Sequence, residues 1–99
     1  MNVKTTTTEI GKKYGQLTFG NVLKSYRLAE DWTQVEMAKK LRLSKQSVND
    51  LESGRKIPSI RRAIGIAKKV GILPDLALQL IFQDQIRKAR LGFKVKVSR

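Results

Sequence analysis

The stretch Thr33-Gln34-Val35-Glu36-Met37-Ala38-Lys39-Lys40-Leu41, running on through Arg42-Leu43 into Ser44-Lys45-Gln46-Ser47-Val48-Asn49-Asp50-Leu51-Glu52-Ser53-Gly54, reads as two short helices joined by a tight turn. That arrangement delivers a helix to the major groove of DNA. Thr33 and Glu36 have the spacing of a capping box, in which each side chain accepts from the other residue's backbone N–H. The first helix is predicted over about Gln34 to Leu41, with Val35, Ala38 and Leu41 inward, and Arg42-Leu43-Ser44 form the turn. Ala38 is small enough to let two steeply crossing helices approach. Ser44 caps the second helix, Val48 and Leu51 face inward, and Gly54 supplies a left-handed stop.

Upstream, Thr18 is a candidate N-cap, and Phe19, Val22, Leu23 and Tyr26 recur at helical spacing, leaving Lys24, Ser25 and Arg27 toward water or a partner. This helix is expected to end near Asp31, a residue that tolerates the left-handed conformation, with Trp32 packing into the core. Downstream of the basic loop Arg55-Lys56-Ile57-Pro58, Ser59 caps a helix whose Ile60, Ala63, Ile64, Ala67 and Val70 share a face, and Gly71 ends it. A last helix starts near Pro74-Asp75. Leu76, Ala77, Leu80 and Ile81 form one apolar stripe on it, and Leu78, Phe82 and Ile86 form a second. One stripe belongs to the core; the other is closed by a second subunit or by the C-terminal tail folding back. In Phe93-Lys94-Val95-Lys96-Val97 the strand period of two returns, and such a strand needs a partner.

The fold class expected is therefore all-α, a bundle of about five helices with a short C-terminal strand. Its divisions are a flexible basic arm over residues 1–17, the helical domain over 18–91, and a basic strand or tail over 92–99. Ninety-nine residues suffice for one small core. They carry 21 Lys plus Arg against 8 Asp plus Glu, a formal net charge of +13. That field attracts polyanions over roughly 8 Å at physiological salt, with nucleic acid as the first choice of partner. Cysteine and histidine are both absent. The usual zinc ligands, the commonest general base and the thiol nucleophile are thereby missing, so neither a metal nor a cofactor is expected, and no enzyme activity. No apolar run approaches a membrane span and no secretory signal opens the chain, so a cytoplasmic location is expected.

Thr33-Gln34, Ala38, Leu41, Ser44, Val48, Leu51-Glu52, Gly54 and Pro58 together give the segment from about Thr18 to Gly71 its resemblance to the lambda-repressor-like helix-turn-helix domains, in particular the Xre-type regulators of bacteria and phages. The resemblance implies a compact bundle of about five helices that binds operator DNA as a symmetric dimer. It implies that Gln34 bonds a phosphate and braces the recognition helix, and that Lys45, Gln46, Asn49 and Asp50 stand where base edges are read. Their chemistry suits that place: lysine matches guanine, glutamine and asparagine match adenine, and an aspartate accepts from cytosine. Asp50 is also costly near phosphate unless it meets that amine or pairs with a base such as Arg55. Ser47, Ser53, Arg55 and Lys56 are placed to hold flanking phosphates.

Competing readings of single residues are mostly bland. Ser44 beside Lys45 is explained by a cap next to an exposed cation rather than by a nucleophile. Glu52 is expected to pair with a nearby Arg or Lys, and Phe19 and Trp32 are expected in the core rather than as stacking platforms. Lys4, Lys12 and Lys13 either enter a groove as an arm or only add nonspecific attraction. The function expected is a sequence-specific regulator that binds double-stranded DNA, a dimeric repressor of a palindromic operator. Leu78, Phe82 and Ile86 would form the dimer interface, with Phe93, Val95 and Val97 pairing between subunits. The alternative is an antitoxin that binds a toxin protein and represses its own operon. A nonspecific nucleoid-type binder fits the charge but not the patterned Lys45, Gln46, Asn49 and Asp50.

Overall fold

A computed structural model describes residues 17–89 of the chain, in which five helices follow one another: α1 Phe19–Ala29, α2 Gln34–Leu41, α3 Lys45–Ser53, α4 Ile60–Val70 and α5 Pro74–Lys88. Four begin at a hydroxyl that accepts from the backbone N–H three residues on: Thr18, Thr33, Ser44 and Ser59. The Thr33 capping box is closed in both directions, at 3.0 and 3.1 Å. Its Thr33 amide and hydroxyl, helped by Lys39, hold the Glu36 carboxyl below the usual range. Helix α5 has no side-chain cap and starts instead with proline in its first turn, where the missing N–H costs nothing.

The stops are as local as the starts. At the ends of α1, α2 and α4 the chain enters the left-handed region at Asp31, Arg42 and Gly71, and the next amide returns to a carbonyl five residues back. The turn between α2 and α3 is one of these, with Leu43 N–H donating to Ala38 at 2.8 Å. Gly54 ends α3 with φ of 80°.

The core gathers Phe19, Leu23, Met37, Ala38, Leu41, Val48, Leu51, Ala63, Ile66, Ala67, Ala77, Leu80 and Ile81 from all five helices, with Ile72 from the connection between α4 and α5. Two expected inward positions are corrected. Val35 is 45% exposed while its neighbour Met37 is fully buried, because the buried side of α2 follows 34, 37, 38 and 41 rather than a run of threes. On α4, Ile60 lies at the surface and Ile66 takes the inward place beside Ala63 and Ala67. Leu17, assigned above to the arm, is half-buried against the core. The expected strand with Phe93, Val95 and Val97, and the rest of the arm, lie outside the described residues.

Two contacts at its start tie α1 into the bundle. Helix α1 crosses α3 at Gly20, where an added Cβ would run into the carbonyl oxygens of Leu51 and Glu52. At the start of α1 the Phe19 N–H donates to Asp84 Oδ2 at 3.0 Å, and the other Asp84 oxygen accepts from Arg87 at 3.0 Å. Burial pushes the Asp84 carboxyl above its ordinary range, against the opposing pull of the Phe19 N–H and Arg87.

Gly20→Ala is expected to lower stability by about 1–3 kcal/mol, because the helices must part, although alanine is the better helix former by about 1 kcal/mol. A denaturant titration showing a more stable variant would contradict the close approach. With its folded pKa raised, Asp84 binds its proton more tightly in the native than in the unfolded chain, so this group adds stability as pH falls through the folded value. Relative to Asp84→Asn, the wild-type melting temperature should rise as pH is lowered from about 7 to about 4. A flat difference would contradict that sign.

Candidate nucleic-acid interface

Helix α3 has two unlike sides. Val48 is fully buried and Leu51 nearly so. Lys45 and Gln46 in its first turn are exposed, and Ser47 and Asn49 are half-buried. The side of the helix opposite the core is thus polar, with a cation and two amides whose donors and acceptors match base edges.

A buried ion pair sets the angle of this helix. Arg27 on α1 grips Glu52 through two parallel bonds, Nε to Oε2 at 2.7 Å and one terminal nitrogen to Oε1 at 3.1 Å. The remaining terminal nitrogen donates to the Trp32 carbonyl at 2.7 Å. Gln34, at the start of α2, donates to the same Glu52 Oε1 and to Asn49 Oδ1, both at 3.2 Å. Three helices therefore meet on one carboxylate, and the turn after α1 is tied to it through Arg27. Glu52 has the Arg partner expected of it. Arg27 itself is corrected: it faces neither water nor an outside partner and is only 8% exposed. The sequence did contain a signal, since Gly20, Leu23 and Arg27 fall along one side of α1, the side turned to α3.

A second network lies at the open end of α3. Asp50 is 8% exposed, with Gln46 Nε2 donating to its Oδ1 at 2.9 Å, Arg55 Nε 3.2 Å from the same oxygen, and Lys56 Nζ 3.7 Å from Oδ2. The loop folds back along its backbone too, Lys56 N–H reaching the Asp50 carbonyl at 3.2 Å and the Ser53 hydroxyl the same carbonyl at 3.2 Å. Of the two roles open to Asp50 in the sequence, pairing with Arg55 is the one this geometry displays. Arg55 and Lys56 keep most of their side chains in solvent, at 61% and 74%. Ser47 is engaged with the capping Ser44, whose hydroxyl accepts from its N–H and donates to its Oγ at 2.9 Å. The first turn of α3 is fixed as a result.

Of the residues predicted to touch DNA, seven fall into two groups, Gln34 with Asn49 and Gln46 with Asp50, Ser53, Arg55 and Lys56, while Ser47 is held by Ser44. Lys45 stands exposed at the start of the helix, ahead of both. On α5, Leu78, Phe82 and Ile86 are each half-buried. Among the described residues no helix is long and apolar enough to cross a membrane, and no group of three or more acidic side chains is gathered to hold a metal.

A sequence model of the helix-turn-helix family matches residues 23–76, more than half of the chain. The chain is also similar to an uncharacterised HTH-type transcriptional regulator of Methanocaldococcus jannaschii, 42% identical over 52 residues that make up 52% of this chain and 79% of that protein. No solved structure matches it.

Removing one member of the buried pair leaves the other charge unpaired, so Glu52→Ala should cost about 3–5 kcal/mol. Replacing both, as Arg27→Met with Glu52→Leu, should restore most of that loss. Chemical denaturation of the three proteins reads this directly, and a double variant as unstable as the single one would contradict it.

Proposed function

The chain belongs to the helix-turn-helix family, and from that membership we propose that it is a sequence-specific transcriptional regulator of double-stranded DNA, acting as a homodimeric repressor of a palindromic operator in the cytoplasm. One observation carries the reading: a helix locked from behind through Glu52 presents Lys45, Gln46 and Asn49 outward. A rigid helix with an exposed polar first turn is what direct readout requires, since each good bidentate contact adds about 1–3 kcal/mol of discrimination only if the side chain is held in register. Lys45 suits guanine O6 and N7, and Gln46 and Asn49 suit adenine. Arg55, Lys56, Ser47, Ser53 and Gln34, the last through its backbone N–H at the start of α2 because both side-chain N–H bonds are committed to Asn49 and Glu52, hold the flanking phosphates, which set register without reading sequence.

The half-buried stripe of Leu78, Phe82 and Ile86 pairs with its own copy across a two-fold axis. Two recognition helices so related lie about 34–36 Å apart, one turn of duplex. The operator is then an inverted repeat, and bound protein represses by occupying the promoter.

Duplexes selected from random DNA at about 150 mM salt, where charge-driven binding is already weakened, supply the operator for two tests. Gln46→Ala should weaken operator binding by about tenfold or more while leaving binding to random duplex nearly intact. Equal losses on both would sink direct readout by this residue. Phe82→Glu should sediment as a folded monomer, and an unchanged dimer would place the interface elsewhere.

A further inference from the structure

The Asp50 carboxylate is heavily engaged within the protein itself. It is nearly buried, it receives Gln46 from its own helix, and it is flanked by Arg55 and Lys56 from the loop that follows. A carboxylate can only accept hydrogen bonds, whereas a glutamine amide has a donating end and an accepting end of nearly equal size. At 2.9 Å from Asp50 Oδ1, Gln46 must therefore turn its NH2 inward. Its carbonyl oxygen and second N–H are then presented together in a single order.

We infer that Asp50 is a specificity-determining positioning residue: it fixes which way round the Gln46 amide faces a base pair, and it restrains Arg55 and Lys56 against indiscriminate phosphate binding. The first effect removes a degeneracy. An amide free to flip presents acceptor and donor in either order and reads two hydrogen-bond patterns instead of one. The second effect is electrostatic. A negative charge held between two loop cations reduces their attraction for any phosphate, lowering sequence-independent affinity, which comes almost entirely from such contacts. Both effects widen the gap between operator and random DNA. The inference rests on the reading of α3 as a base-contacting helix.

Asp50→Asn tests it, because asparagine keeps the size and can bond either end of the Gln46 amide. Asp50→Ala serves as a second variant should the first be unstable. The readouts are base preference from selected duplexes, affinity for random duplex against salt, and the melting temperature of the full chain. The expected result is a loss of discrimination of about tenfold confined to one base pair per half-site. Affinity for random duplex rises, and its salt dependence steepens by about one phosphate. In a Gln46→Ala background the same substitution should leave base preference unchanged, because Asp50 acts through that amide.

Unaltered base preference in a folded variant overturns the inference. So does a uniform loss on all sequences with a lowered melting temperature, which would make Asp50 a structural brace only. If the wild type itself enriches no sequence, base reading by α3 fails first, a result distinct from either.

Discussion

The placement of α3 depends on one buried pair. Arg27 and Glu52 have side chains only 10% and 3% exposed, so both charges have left water, and their desolvation is offset only because the geometry is bidentate and the remaining groups find partners. The Trp32 carbonyl takes the free side of the guanidinium, and Gln34 takes the second lone pair of Glu52 Oε1. A hydrophobic pair could hold the helices together just as strongly, whereas the bidentate bonds also have a fixed direction. Base readout needs that precision, since a contact displaced by about 1 Å ceases to be a hydrogen bond.

Packing around the pair is consistent with that demand. At Gly20 the backbones of α1 and α3 approach until no side chain fits between them, two helical turns from Arg27 on the same side. Asp84 reaches across from α5 to satisfy the first amide of α1, so the helix carrying Arg27 is itself held at its start. The Schellman-type stop after Arg42 fixes the turn that leads into Ser44, whose hydroxyl then fixes the first turn of α3. Between these points there is little freedom for the exposed face of α3 to drift.

Much of this was legible in the chain, and the reason is locality. Caps at Thr18, Thr33, Ser44 and Ser59 and stops at Gly54 and Gly71 involve residues within five positions of each other, so spacing alone reveals them. What escaped depends on partners distant in sequence. Arg27 and Glu52 are 25 residues apart and Phe19 and Asp84 are 65, and a helical wheel cannot tell a charged residue aimed at water from one aimed at a buried counter-charge. The inward place of Met37 in preference to Val35 escapes for another reason: on a helix of eight residues, two neighbouring stripes fit the apolar pattern about equally well. The candidate site shows a related division. Its exposed amides and cations follow from the motif, and Gln46 with Asp50 from helical spacing, whereas which of the open roles Asp50 takes, and its approach by both Arg55 and Lys56, depends on how the loop folds back.

In the proposed function α3, locked through Glu52, is the surface this chain turns to DNA. The decisive experiment titrates the isotopically labelled protein with duplex at about 150 mM salt and follows its amide and side-chain NMR signals. Perturbations concentrated on Lys45, Gln46, Ser47, Asn49 and the 53–56 loop, with the Arg27 and Glu52 signals unmoved, are the predicted result. Changes concentrated on α4 or α5, with α3 silent, would contradict it.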